Sequence, residues 1–257
     1  MLWEEVSKEK RENRNMKTAV VTGGTKGIGL AIVEKLLENG YRVIATFAGD
    51  VGNAESVRRR LENIYQDRAV IVHQLMEKEP DVSSLNAKLE RYTKDGIDVL
   101  VLNAGCTDRT AWKDLTWEQW MHVMDVNINA PAALVRALDK DINENGSIIF
   151  ISSDMSVYPH ATSVPYTVSK AAVNGLTLAL VKEYADRKIR VNAVLPGFVE
   201  TPWQKEKPAA QRQRICDKVA LNRFAEPQEI ADVVLSIVNS TYINGSLIKV
   251  DGGYCYR

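Results

Sequence analysis

Hydrophobic and polar positions along this chain fall into two alternating kinds of run. Short apolar runs occupy residues 18–21, 41–47, 69–72, 99–102, 147–151, 190–195 and 247–250, the pattern of strands buried on both faces. Between them, apolar residues recur three and four apart, as a helix with one buried side requires. In 28–39, Ile28, Ile32, Val33, Leu36 and Leu37 share a face, and Gly40 supplies a stop. The same spacing predicts helices over 55–65, 82–92, 116–143, 165–186 and 227–238. The fourth of these bends between Asn127 and Pro131, and the fifth opens on Pro165, a tolerated position at a helix start.

Strands alternating with helices predict an α/β fold: one doubly wound, mostly parallel seven-stranded sheet with helices on both faces. Ligands of such sheets bind beyond the carboxyl ends of the strands, so residues carrying chemistry belong just after strands. A polar stretch at 204–222 interrupts the alternation. Residues 1–15 hold eight charged side chains, from Glu4 to Arg14, with few apolar partners, and read as a solvated extension. A contact arm to another subunit is the alternative. The domain proper starts at Met16 and runs to 257.

Composition narrows the function. Lys plus Arg and Asp plus Glu each total 33, so no net charge draws the chain to nucleic acid. Three widely spaced cysteines predict no disulfide framework. His73, His122 and His160 lack metal-ligand spacing. No apolar run is long enough to span a membrane, and the first residues lack a signal-peptide layout. A cytoplasmic protein is expected.

Three post-strand segments carry candidate chemistry. Thr22-Gly23-Gly24-Thr25-Lys26-Gly27-Ile28-Gly29 joins the first strand to the first helix. Glycines there permit a tight turn and let backbone N–H groups approach a phosphate at the helix N-terminus. Leu102-Asn103-Ala104-Gly105 follows the fourth strand, and Ser152-Ser153 the fifth. The first of these two is equally a structural turn, and a lone serine after a strand is more often a cap or turn residue. Thirteen residues after Ser153 comes Tyr166, with Lys170 four further on. On a helix this pair shares one face. An ammonium beside a phenol favours phenolate, lowering its pKa towards working pH and suiting it to general acid/base work.

Taken together, these motifs resemble the classical short-chain dehydrogenase/reductase family. Pro196-Gly197-Phe198-Val199-Glu200-Thr201 and Val250-Asp251-Gly252-Gly253 extend the resemblance from about Met16 to Gly253. It implies a Rossmann-type fold and an oxidoreductase that reduces a carbonyl to a secondary alcohol. By resemblance, Tyr166 is the acid/base, Lys170 tunes it and holds the nicotinamide ribose, Ser153 polarises the carbonyl, and Asn127 supports a proton-relay water. Gly23, Thr25, Lys26, Gly27, Ile28, Gly29, Phe47, Asn103, Ala104, Gly105, Pro196, Gly197, Val199 and Thr201 would line the cofactor. Phe47 stands where NAD-preferring members carry an acid, and Lys26 where NADP-preferring members carry a base, so NADP(H) is favoured. Asp50 keeps NAD(H) open. His73-Gln74-Leu75-Met76 lacks the family's adenine-contacting aspartate.

Asn103-Ala104-Gly105-Cys106-Thr107-Asp108-Arg109 is most similar to the 3-oxoacyl-acyl-carrier-protein and acetoacetyl-CoA reductase branch. That branch implies a thioester substrate, an acyl carrier protein docking near Arg136 and Arg187, and a homotetramer or dimer. The alternatives are a dehydrogenase for a sugar, polyol, steroid or other secondary alcohol, and a nucleotide-binding regulator without catalysis. Trp112, Trp203, Tyr158 and His160 are candidate pocket residues. The short span between Thr201 and Arg223 predicts a small lid.

Overall fold

The computed structural model describes residues 16–75, 84–85, 87–159, 163–254 and 256. The charged extension, His160 and residues 82, 83 and 86 of the expected helix at 82–92 lie outside the described residues. Seven strands form one parallel sheet: β1 (Thr18–Val21), β2 (Arg42–Phe47), β3 (Ala69–His73), β4 (Ile97–Leu102), β5 (Ile142–Ile151), β6 (Arg190–Pro196) and β7 (Leu247–Val250). Their spatial order is β3-β2-β1-β4-β5-β6-β7, every pairing is parallel, and each expected strand is present.

Helices cover both faces because the central strands have no polar face to give to water. Every residue of β1 is buried, as are Val99 to Leu102 of β4. On one side α1 (Gly27–Glu38), α2 (Val51–Tyr65) and α7 (Pro227–Asn239) pack Ile32, Leu36, Leu61, Ile230 and Val234 onto the sheet. On the other, α3 (Trp117–Met124) and α4 (Ala130–Ala137) follow β4 and α5 (Val164–Glu183) follows β5, and Leu134, Val135 and Val173 join Phe150 and Leu100 in a second core. A short helix, α6 (Ala209–Cys216), stands in the polar stretch.

Two boundaries differ from expectation, each for a local reason. The helix predicted over 116–143 stops at Ala137, and β5 already starts at Ile142. Leu138 and Ile142 look like further turns of an amphipathic helix, but both are buried in the second core from outside it. Helix α2 begins at Val51 rather than residue 55, because Asp50 caps it by accepting from the Asn53 N–H at 3.1 Å. The bend expected near Asn127 is a π-helical turn over Asp125–Asn129 that joins α3 to α4.

Candidate active site

The strand order reverses between β1 and β4, and the crevice opens there. Thr22 and Asn103, just past the ends of these neighbours, lock together. The Thr22 hydroxyl accepts from the Asn103 and Ala104 N–H groups at 2.9 and 3.0 Å, and Asn103 Nδ2 donates to the Thr22 and Gly23 carbonyls at 3.0 and 3.1 Å. Asn103 is thereby a brace for the glycine loop.

At Gly29 that loop has room for nothing but backbone. A Cβ at Gly29 would lie 2.2 Å from the Gly23 carbonyl oxygen and 2.5 Å from Asn103 Nδ2. Gly23 and Gly27 hold φ of +64° and +54°, where side chains are strained. Lys26, exposed, sits at the N-cap of α1 with no side-chain cap, and the first turn carries no acid. The free N–H groups and helix dipole therefore face the crevice as an anion cradle. These features fit a dinucleotide pyrophosphate.

The cleft encloses about 1230 Å³ and runs from this cradle to the Tyr166 helix. Thr25, Ile28, Phe47, Gly105, Pro196, Gly197, Val199 and Thr201 all line it, so every sequence-predicted cofactor residue falls on one surface. Phe47 packs its ring 5.0 Å from that of His73. Asp50 also lines the cleft, although its carboxylate is engaged in capping α2. In the stretch that lacks the family's aspartate, Gln74 is buried, and its side-chain oxygen accepts from Lys88 Nζ at 2.9 Å and the Ser84 hydroxyl at 3.1 Å.

Helical phase brings Tyr166 and Lys170 to one face of α5, as expected. The electrostatics differ from expectation. Lys170 Nζ donates to the Ile151 carbonyl at 2.8 Å and stands 5.8 Å from the Tyr166 ring centroid. Burial pushes the Tyr166 phenol above its ordinary value, opposed by a hydrogen bond with Ser153 and reinforced by Cys106. Burial also lowers the Lys170 ammonium to about 8, opposed by Cys106. The expected lowering of the phenol by Lys170 is thus not the balance in this structure, where desolvation outweighs a cation held to a backbone carbonyl.

The supporting groups are fully engaged. Asn127 Oδ1 accepts from the Cys106 N–H at 2.8 Å, and its Nδ2 donates to the Cys106 carbonyl and the Ser169 hydroxyl, each at 2.9 Å. The π-turn aims this amide across to α5. Ser152 donates to Asn174 Oδ1 at 2.7 Å, and Asn174 donates to the Ser156 hydroxyl at 2.8 Å, tying the Ser153 loop to the same helix.

Of the candidate pocket residues, Trp203 lines the cleft with its ring 6.3 Å from that of Tyr166. Trp112 packs instead against Trp120, and Tyr158 lies under Lys249. Sequence reasoning missed Gln74, Cys106, Thr107, Arg109, His122 and Lys207 as lining residues. The position of 106–109 directly after Gly105 was a usable signal, whereas His122 and Lys207 arrive only through tertiary folding.

The family model for short chain dehydrogenases matches residues 17–212. The chain belongs to the short chain dehydrogenase family. It is an NAD(P)-dependent oxidoreductase by that membership. A 3-oxoacyl-[acyl-carrier-protein] reductase of Thermotoga maritima is 34% identical over 92% of this chain and 97% of the relative. A 3alpha-hydroxysteroid dehydrogenase of Mediterraneibacter gnavus is 32% identical over 92% and 96%. The crystal structure of a Burkholderia cenocepacia short chain dehydrogenase in complex with NADP superposes with a TM-score of 0.86 at 28% identity, covering 92% of this chain and 97% of that one. Among the described residues no helix is long and apolar enough to cross a membrane.

Proposed function

We propose that this short chain dehydrogenase reduces the carbonyl of a 3-oxoacyl thioester to a secondary alcohol with NADP(H). The observation that carries the reading is the convergence of Ser153, Tyr166 and Lys170 on one cleft whose wall also holds the anion cradle. Bound in the cradle, NADP(H) supplies the hydride. The Ser153 hydroxyl orients the carbonyl oxygen, and the Tyr166 phenol donates the proton that the oxygen takes up on reduction. A phenol raised by burial is protonated at neutral pH, as a proton donor must be. Lys170 keeps a positive charge beside the site below pH of about 8. Asn127, held by Cys106 and Ser169, fixes the loop carrying Gly105 against α5 and supports the relay that returns a proton to Tyr166.

The NADP preference rests on Phe47 in place of a carboxylate, on the exposed Lys26, on an Asp50 already used as a cap, and on the NADP-bound structural relative. The thioester reading rests on the Thermotoga maritima relative. A carrier protein would dock on the face near Arg136, exposed on α4, and Arg187. Arg187 is committed to the Asp139 carboxylate at 3.0 Å and to the Asp139 and Ile142 carbonyls. A second reading, oxidation of a steroid or other secondary alcohol, is favoured by the Mediterraneibacter gnavus relative.

NADPH consumption over a panel of 3-oxoacyl thioesters, steroid ketones and sugar ketones separates these. Tyr166→Phe is expected to lower kcat on the best substrate about 10²- to 10⁴-fold while NADPH affinity is kept. Unchanged turnover would remove the acid/base assignment, and higher kcat/KM with NADH would reverse the cofactor preference.

A further inference from the structure

We infer that Asn53 is a positioning residue through which this chain selects a cofactor carrying a 2′-phosphate. The inference rests on the NADP(H) reading and adds to it a side chain that works from behind the cleft wall. A dinucleotide whose pyrophosphate lies on the glycine loop brings its ribose 2′ position to the residues that follow the second strand. In this chain those residues form a closed loop. At its start, the Gly23 N–H donates to the Thr46 hydroxyl at 3.3 Å and the Gly24 N–H to the Thr46 carbonyl at 2.8 Å. At its end, Asn53 Nδ2 donates to the Thr25 carbonyl at 2.8 Å. Both ends of 46–53 are thus bonded to Gly24 and Thr25, neighbours in the glycine loop. Phe47, Ala48, Gly49 and Asp50 form the rim between these ends and line the cleft, as do Thr25 and Lys26. Asn53 is not part of that lining and acts through the residues it holds.

One residue thereby places both charged groups on this wall, Lys26 and Asp50. The Asn53 backbone N–H donates to Asp50 Oδ1 at 3.1 Å and keeps the carboxylate on the first turn of α2. The Asn53 side chain fixes the Thr25 carbonyl, and with it the trans peptide plane from which Lys26 starts. The rim is held on its other side too. The Ala48 carbonyl accepts from His73 Nε2 at 2.9 Å, and the Phe47 carbonyl from the Gln74 N–H at 2.8 Å. Asn53 supplies the link between α2 and the glycine loop.

Removing the Asn53 amide leaves the pyrophosphate cradle as it is. The bonds of Gly23 with Thr46 and Asn103, and the close approach at Gly29, do not involve it. What it frees is the Thr25–Lys26 peptide relative to the rim. A 2′-phosphate must then order both before it gains a charged contact, whereas a ribose with a free 2′-hydroxyl makes no such demand. The loss falls on NADPH rather than on NADH.

The test reads binding and needs no ketone substrate. The full-length protein is titrated calorimetrically with 2′,5′-ADP and with 5′-AMP, which differ in the 2′-phosphate, and by fluorescence with NADPH and NADH. Asn53→Ala removes the donor, and Asn53→Leu removes it at nearly the same shape. Both new residues are better helix formers than Asn, so α2 keeps its start. Each variant is expected to bind 2′,5′-ADP and NADPH about tenfold more weakly, with 5′-AMP and NADH changed by less than about twofold. Affinities equal to the wild type, or an equal loss on both members of each pair, overturn the inference. A wild type that binds 5′-AMP as tightly as 2′,5′-ADP would instead overturn the NADP(H) reading, and the inference would fall with it.

Discussion

Tyr166 and Lys170 sit four residues apart, yet their separation on the helix does not decide what they do to each other. The Ile151 carbonyl, at the end of the neighbouring strand, takes the ammonium at 2.8 Å, and burial sets the direction of both shifts. A second titratable group nearby follows the same logic. Asp154, next to Ser153, is fully buried, with no hydrogen bond to its carboxylate and Lys249 Nζ 3.8 Å from Oδ1. Burial foremost, and then Asp251, raise it to about 6, against the pull of Lys249. Between the ordinary carboxylate value and about 6 the unfolded chain has lost this proton while the folded one keeps it. Stability therefore falls as pH rises through that window, and the loss persists above it. Asp154→Asn should flatten the dependence, gaining on the wild type by about 2 kcal/mol between pH 4 and 7. Parallel stability curves from denaturant melts over that range would refute it.

At the scale of elements, the loop between β1 and α1 and the π-turn between α3 and α4 determine the site. Each works by bringing a polar amide where no regular element would hold it. Asn103 reaches the glycine loop because Gly29 has no side chain, and Gly29→Ala would drive a methyl into Gly23 and Asn103. We expect that variant to lose at least tenfold in NADPH affinity, read by fluorescence titration, and about 1–3 kcal/mol of stability from the disturbed hydrogen bonds. Affinity equal to the wild type would mean that the loop can shift aside. The sequence made the glycine loop legible, because glycines between a strand and a helix have few other uses. The bend near Asn127 was readable only as an irregularity. Its π-helical form depends on Asn127 finding Cys106 and Ser169 across the interface, and no local preference encodes that.

For the whole molecule, the sheet order buries large side chains beneath a helical layer on each face. Phe150 of β5 is 1% exposed in the core shared by α4 and α5. Phe150→Ala should cost about 3–5 kcal/mol in denaturant melts, and a loss below about 1 kcal/mol would show that this face repacks. Strand number, the parallel sheet and the positions of the post-strand motifs were determined by the sequence, because apolar runs buried on both faces admit few other arrangements. Family membership followed from the same motifs. Helix ends were less legible, since Leu138 and Ile142 continue a helical spacing that packing then overrides. Only the tertiary structure decided the direction in which burial shifts Tyr166 and Lys170, and the engagement of Asp50 and Arg187. Burial and distance between residues remote in sequence set these, and a linear pattern records neither.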